Sequence, residues 1–165
     1  MVVTMPFTPF HLGPALLIGL LFFPYIDITV ICIASVIIDV EPAYYLFFTS
    51  KGPYHGIFHS YLMATLVGVA LSIVAHFTRE QYLKILRLFG LQQETNVKRI
   101  ISSALIGTYS HIFLDMFMYP EMKPFYPLEE NPFLYQLSIV TVYEFCIIAF
   151  ILAFLLYVVR VKSQQ

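Results

Sequence analysis

Long apolar runs, each ended by a short polar or Pro-containing turn, are the feature of this sequence that most limits its fold. The runs 28–48 and 133–159 hold no more than two charged residues each. Both reach the roughly 20 residues that a helix needs to cross the hydrocarbon core of a bilayer. Over the whole chain 59% of the residues are hydrophobic and 12% are charged, against a charged share of about 25% in soluble domains. The sequence therefore predicts an integral membrane protein.

The apolar runs predict an all-α fold, a polytopic membrane helix bundle that forms one domain over residues 1–165. Between two of the runs, the segment 78–99 mixes leucines with Lys, Arg and Glu, and we expect it to form one amphipathic helix at the membrane interface. About five transmembrane helices are expected, with approximate bounds 8–23, 28–48, 57–77, 100–118 and 133–159.

The distribution of basic residues predicts the orientation. The segment 78–99 holds five of the nine Lys and Arg residues, and Arg160 and Lys162 are two more. The positive-inside rule places this segment and the carboxyl terminus in the cytoplasm and, with five spans, the amino terminus outside. Lys51 and Lys123 then lie on the outer side. We expect a multi-pass protein of the cell membrane.

Charge and motif content exclude several classes. The formal net charge is −1 and the chain has no basic tail, so nucleic acid is not an expected partner. No Walker loop, dinucleotide-binding glycine pattern or His-Glu-x-x-His sequence occurs, and the last absence disfavours an intramembrane metalloprotease. Cys32 and Cys146 lie inside apolar runs without polar neighbours, which is typical of core residues. The pattern specifies no oligomeric state.

Two pairs of polar residues have helical spacing. His55 and His59 are four residues apart, so on a helix both imidazoles face one side and reach one metal ion; alternatively they form hydrogen bonds at the membrane interface. His111 and Asp115 have the same spacing. There we expect the histidine to be a ligand, and the carboxylate either a second ligand or the group that orients the histidine.

Three further residues belong to the same candidate site. Asp39 follows Val-Ile-Ile, and an acid near the centre of a membrane helix costs about 2.5–3.5 kcal/mol, so it is either a ligand or hydrogen-bonded to Ser or Tyr. Glu41 is a ligand, a general base or an interfacial acid, and His11 begins the first helix. In the predicted topology all the candidates approach the outer face, namely His11, Asp39, Glu41, His55, His59, His111 and Asp115. His76 lies at the opposite end and is expected to be interfacial.

Four ordered elements resemble the YdjM-like family of membrane-bound metal-dependent hydrolases. The first is Thr-Pro-Phe-His-Leu-Gly around His11. The second, Ile-Asp-Val-Glu at 38–41, lacks the family's proline and has Glu as its second acid. The third, His-Gly-Ile-Phe-His-Ser at 55–60, is one residue shorter than the family element and has no arginine. The fourth, Ser-His-Ile-Phe-Leu-Asp at 110–115, is followed by the Pro-rich loop 122–127.

The resemblance implies hydrolysis that depends on a divalent metal, with zinc expected and one or two ions bound. The family's His and Asp set is also similar to that of zinc phospholipase C, which favours phosphoesters by analogy. The expected partners are the lipid bilayer and a phospholipid-like substrate. The expected ligands are His11, Asp39, His55, His59, His111 and Asp115.

A catalytic scheme follows from the same residues. Glu41 or Asp115 is expected to take a proton from the attacking water, and Lys123 to pair with an anionic phosphate. The predicted function is a hydrolase that cleaves a membrane-associated phosphoester at the outer face. The alternatives are a divalent metal transporter or metal-binding membrane protein, and a structural membrane subunit.

Overall fold

The computed structural model describes residues 8–49 and 54–163, and this part of the chain forms helices and no strand. A 3-10 turn at Thr8–His11 leads into α1, and a π-helical turn at Tyr45–Thr49 extends α3. The helices are α1 (Leu12–Leu21), α2 (Ile28–Ile37), α3 (Val40–Tyr44), α4 (Tyr61–Leu88), α5 (Val97–Asp115) and α6 (Ile139–Ser163). The all-helical prediction is therefore confirmed for the described residues. Lys51, for which an outer position is predicted, lies outside the described residues.

Two helices, α4 and α6, are long and apolar enough to cross a membrane. A third span results if α2 and the helical segment 40–48 are taken together, although the two are bent by 46° at their junction. Helix α1 has only ten residues, and α5 has 19 residues that include Lys98, Arg99 and Asp115. Two or three spans are thus found among the described residues, fewer than the predicted five.

Helix α4 continues through the segment for which a separate interfacial helix is predicted. Its 28 residues run to Leu88 without interruption, and Gly90, with φ of 71°, follows its end. Leu86 is buried in a cluster with Leu20 and Phe23, so this last part of α4 packs against the bundle. The prediction of a separate surface helix is wrong, because Leu86 of this segment is buried against the bundle while Lys84 and Arg87 stay exposed on the same continuous helix.

The last helix also starts later than predicted. Residues 133–138 form turns, in which Tyr135 has a φ of 61° and its N–H bonds to the carbonyl of Phe117. Helix α6 therefore begins at Ile139, and it continues past the predicted end at residue 159 to Ser163.

Glycine contacts hold the central helices close together. A Cβ atom on Gly107 of α5 would lie 2.7 Å from the carbonyl oxygen of Ile31 and 2.5 Å from the Cβ of Ala34, both on α2. A Cβ on Gly13 of α1 would collide with the carbonyl oxygen of Cys146 on α6. Helix α5 packs between α2 and α4, and α1 packs between α2 and α6. This arrangement brings the start of α1, the end of α2, the start of α4 and the end of α5 to one end of the bundle.

A polar network fixes the opposite end. Asp27 is fully buried and caps α2 by accepting the Val30 N–H, and it also accepts the Tyr82 hydroxyl at 2.9 Å. The Gln93 side-chain amide donates to the carbonyls of Phe23 and Ile26. Because these bonds satisfy the turn between α1 and α2, the two helices hold a fixed register there.

Candidate metal centre

Four side chains meet at the end of the bundle where the α1, α2, α4 and α5 termini lie together. The break between α2 and α3 falls at Asp39, and the loop before α4 supplies His59. The last turns of α5 supply His111 and Asp115 on one helix face. One ligand atom from each residue lies within 4.8 Å of the other three.

The distances among these ligand atoms are short. His111 Nε2 lies 3.3 Å from Asp39 Oδ1, 3.1 Å from Asp115 Oδ2 and 3.4 Å from His59 Nε2. His59 Nε2 lies 3.6 Å from Asp39 Oδ1 and 3.8 Å from Asp115 Oδ2. Two imidazoles and two carboxylates therefore point at a common space.

Hydrogen bonds on the far side of each ring fix which nitrogen faces that space. His111 Nδ1 lies 2.8 Å from the carbonyl oxygen of Ser35, which only accepts, so Nδ1 carries a proton. His59 Nδ1 is bound in the same way to Glu41 Oε2 at 3.0 Å. In neutral rings both Nε2 atoms then present lone pairs to each other at 3.4 Å, which is unfavourable unless a cation or proton lies between them.

Several buried atoms at this end have no hydrogen-bond partner among the described residues. They include both carboxylate oxygens of Asp115, Oδ2 of Asp39 and both ring nitrogens of His11. Asp115 is fully buried. The imidazoles of His11 and His111 lie within ion-pair distance of Asp115, but no hydrogen bond of good geometry satisfies these buried oxygens, and a bound cation would satisfy them. The residues therefore fit a divalent cation.

His11 lies beside the four-residue group. Its ring stacks on that of His111 with centroids 4.1 Å apart, and its Nε2 is 3.3 Å from Asp115 Oδ1. It thus approaches the Asp115 oxygen that His111 does not contact. The structure brings five of the six predicted ligands together at one end, and their role as ligands stays a prediction.

His55, the sixth predicted ligand, is outside the four-residue group. Its Nδ1 lies 3.0 Å from Glu121 Oε1, and its ring stacks on Tyr119 with centroids 3.5 Å apart. The hydrogen bond from His55 lowers the pKa of the Glu121 carboxyl. Sequence reasoning missed this partnership; the signal available was the position of Glu121 in the Pro-rich loop just after Asp115.

The hydroxyl of Tyr119 is a further polar group that sequence reasoning did not single out. It is buried without a hydrogen-bond partner among the described residues. Burial and the nearby charge of Asp115 raise the pKa of Tyr119, so the phenol keeps its proton. It is therefore a free hydrogen-bond donor near the carboxylates.

The remaining predicted site residues occupy different surroundings. Glu41 lies behind His59, where its Oε2 also accepts the Gly56 N–H at 3.1 Å. Lys123 is 45% exposed and pairs with Glu129 at 2.9 Å. Glu41 is thus placed to orient a histidine, whereas Lys123 already has an anionic partner at the surface.

The fold and this cluster define a helical integral membrane protein with a candidate site for a cation. The chain belongs to the YdjM inner membrane protein family, whose model matches residues 4–165. No curated protein and no solved structure matches it. Family membership and the apolar helices place the chain in a cell membrane.

Proposed function

We propose that this protein is a metal-dependent hydrolase that holds one divalent ion, zinc, between Asp39, His59, His111 and Asp115. The observation that carries the proposal is the convergence of four ligand atoms, among them buried carboxylates whose oxygens at this site form no hydrogen bond of good geometry. The distances from His111 Nε2 to the other three ligand atoms are 3.1–3.4 Å, and those from His59 Nε2 to the two carboxylates are 3.6 and 3.8 Å. A catalytic zinc keeps one position open for water or substrate, so three of the four residues would hold the ion during hydrolysis.

The protein groups around the site have separate tasks in this proposal. Glu41 and the Ser35 carbonyl orient the two histidines. His11 and Asp115, with Nε2 and Oδ1 3.3 Å apart, share the proton taken from the attacking water. The Tyr119 hydroxyl donates to an anionic oxygen of the substrate. A divalent ion in the site supplies Lewis acidity for the hydrolysis of an ester.

The proposed substrate is a membrane-associated phosphoester, such as a phospholipid. An apolar groove of about 470 Å³ between the segment before α1 and helix α6 includes Phe10, the neighbour of His11, and Cys146. A groove of this kind suits an acyl chain whose head group lies at the membrane surface.

The proposed topology has five membrane-crossing segments with the amino terminus outside. The start of α1, the end of α2, the start of α4 and the end of α5 meet at the metal cluster, so these helices alternate in direction. Helix α6 runs from Tyr143 beside Phe10 to Arg160 beside Phe23, at the other end. The basic residues of 78–99 and 160–163 lie at the end away from the metal cluster, which supports a cytoplasmic position for that end. The metal cluster is then at the outer face.

Metal content and turnover test the function together. Protein purified in detergent is expected to carry one tightly bound divalent ion per chain by elemental analysis, and Asp115→Asn to lose it. His76→Ala, which changes a histidine at the other end of the bundle, is the control and keeps the ion. Hydrolysis of phosphodiester and phosphomonoester lipids is expected to stop with chelator and to return with zinc.

Three results would contradict the proposal. Wild-type protein purified without bound metal would contradict the metal site, because protonated imidazoles would then neutralise the charge of the carboxylates. Metal-loaded protein that hydrolyses none of these lipids would contradict the proposed phosphoester substrate. Metal flux into liposomes without turnover would favour the transporter.

A further inference from the structure

An apolar groove lies on the side of the bundle at the end opposite the metal cluster. It has a volume of about 360 Å³ and is partly open to the surroundings. Leu20 of α1 forms part of its floor, Ile33 of α2 and Phe154 of α6 belong to its walls, and Leu86 and Phe89 at the end of α4 close it. Since α2 and α6 both pack on the short helix α1, the groove is the gap that they leave between them.

One end of this groove carries an arginine without a carboxylate partner. The guanidinium carbon of Arg160 lies 4.1 Å above the centre of the Phe23 ring. Phe23 belongs to the same buried cluster as Leu20 and Leu86, which line the groove. Among the described residues no acidic side chain is within ion-pair distance of Arg160. The guanidinium thus lies beside the cluster that lines this end of the groove, against an aromatic ring and able to bind an anion.

The surroundings of Arg160 are positively charged. Segments 78–99 and 160–163 together carry seven Lys and Arg residues and two Glu residues. Arg87, next to the groove residue Leu86, is exposed. The Tyr157 hydroxyl donates to the Phe89 carbonyl and joins the ends of α6 and α4 there. Arg160 and Arg87 therefore belong to the two helix ends, of α6 and α4, that meet beside the groove.

We propose that this groove binds a phospholipid with an anionic head group. In a bilayer a lateral apolar groove is filled by an acyl chain, and basic pockets between membrane helices recruit anionic head groups. Arg160 and Arg87 bind the phosphate of the head group, and the walls formed by α2 and α6 hold one acyl chain. The head group of this lipid lies at the end of the bundle away from the metal cluster, although Phe150 and Phe154 line both this groove and the one proposed for the substrate's acyl chain.

Quenching of introduced tryptophans by brominated lipids tests this site. The chain contains no Trp, so Phe154→Trp supplies the single reporter. Phe154 lines both this groove and the one proposed for the substrate, and the arginine substitutions separate the two. Phe77→Trp is the matched control, because Phe77 is 76% exposed on α4, outside the groove. Each protein is reconstituted in phosphatidylcholine vesicles with the same low fraction of brominated phosphatidylglycerol or brominated phosphatidylcholine.

The expected result is stronger quenching of Phe154→Trp by the brominated phosphatidylglycerol than by the brominated phosphatidylcholine, with no difference for Phe77→Trp. Adding Arg160→Gln or Arg87→Gln to Phe154→Trp is expected to weaken the preference about fivefold each. Lys98→Gln, at the start of α5, is the control and leaves the preference for brominated phosphatidylglycerol unchanged.

Equal quenching of Phe154→Trp by the two lipids would overturn the proposal. The proposal would also be overturned if Phe77→Trp showed the same preference for brominated phosphatidylglycerol as Phe154→Trp. That result would mean that a basic surface attracts anionic lipid in general. A preference that survives both arginine substitutions would also overturn it. Arg87 is exposed, so Arg87→Gln gives a folded variant even if Arg160→Gln disturbs the contact with Phe23.

Discussion

The Nδ1 atom of His59 lies 3.0 Å from Oε2 of Glu41, on the side of the ring away from the metal cluster. The carboxylate therefore fixes the ring so that Nε2 faces Asp39 and His111. This arrangement gives Glu41 an orienting role that its position in the sequence leaves open. It also separates two roles that a measurement can distinguish, since an orienting group and a ligand affect metal binding differently.

Glu41→Gln is expected to lower metal affinity about 10- to 100-fold and to keep the stoichiometry at saturating metal, as for other groups that hold a metal-bound histidine. Competition with a chelating dye measures the affinity. Glu144→Gln, an exposed acid near the start of α6, is the control and is expected to bind metal as wild type does. Complete loss of metal at saturation would instead make Glu41 a ligand.

Tyr119→Phe is expected to reduce lipid phosphoester turnover about 100-fold, because one preorganised donor to the substrate is lost. Metal content is expected to stay unchanged, since the phenol is outside the four-residue group. Steady-state turnover and elemental analysis of the same preparation check both points. Tyr126→Phe, in the same loop but exposed, is the control. Unchanged turnover of Tyr119→Phe would contradict the proposed role of the Tyr119 hydroxyl as a donor to the substrate.

The convergence of the candidate ligands could be predicted because consecutive helices of an up-and-down bundle alternate in direction. His11 starts one helix, Asp39 ends the next, His59 precedes a third and Asp115 ends a fourth. Residues at such positions come to one end whatever the packing angles. The four-residue spacing of His111 and Asp115 also predicts a shared face, which the structure has.

Other features depend on contacts that no local pattern encodes. The basic residues at the end of α4 suggest a surface helix, yet burial of Leu86 against α1 residues continues α4 to Leu88. The partnership of His55 with Glu121 joins residues 66 positions apart. The group that holds His111 is the backbone carbonyl of Ser35, and a carbonyl leaves no signal in the sequence.

The His55–Glu121 pair predicts a pH dependence of stability. The pKa of Glu121 is lowered in the folded protein, so its contribution is present above the pKa of an unfolded Glu, about 4.3, and is lost as the pH falls through the folded value. Glu121→Gln is expected to lower the thermal midpoint at pH 7, and the difference from wild type is expected to shrink below pH 4.

Differential scanning fluorimetry in detergent at a series of pH values measures this difference. Glu130→Gln, an exposed acid in the same loop, is the control and is expected to match wild type throughout. A Glu121→Gln difference that is constant with pH would show that the contact does not depend on the carboxylate charge.

The two ends of the bundle are expected to label from opposite sides of the membrane. In a background with Cys32→Ser and Cys146→Ala, Glu129→Cys at the metal end should react with an impermeant maleimide added to intact spheroplasts. Arg87→Cys should react only after the membrane is opened. Both side chains are exposed, so access depends on topology alone. Labelling of both from one side would contradict five crossings, and the reverse pattern would invert the orientation.

Gly107 sets the distance between the helices that carry Asp39 and His111. A Cβ atom there would meet the Ile31 carbonyl oxygen at 2.7 Å and Ala34 at 2.5 Å, and neither is the end of a flexible side chain. Gly107→Ala must therefore push α5 away from α2, at a cost of about 1–3 kcal/mol. The same displacement separates His111 from the Ser35 carbonyl, so metal affinity is expected to fall with stability.

Ser110→Ala, on the same helix with its hydroxyl bonded to the Gly107 carbonyl, is the control and should change neither the thermal midpoint nor the metal affinity. Thermal midpoints and chelator competition on both variants test the coupling, and a destabilised Gly107→Ala protein with wild-type metal affinity would show that the site tolerates movement of α5.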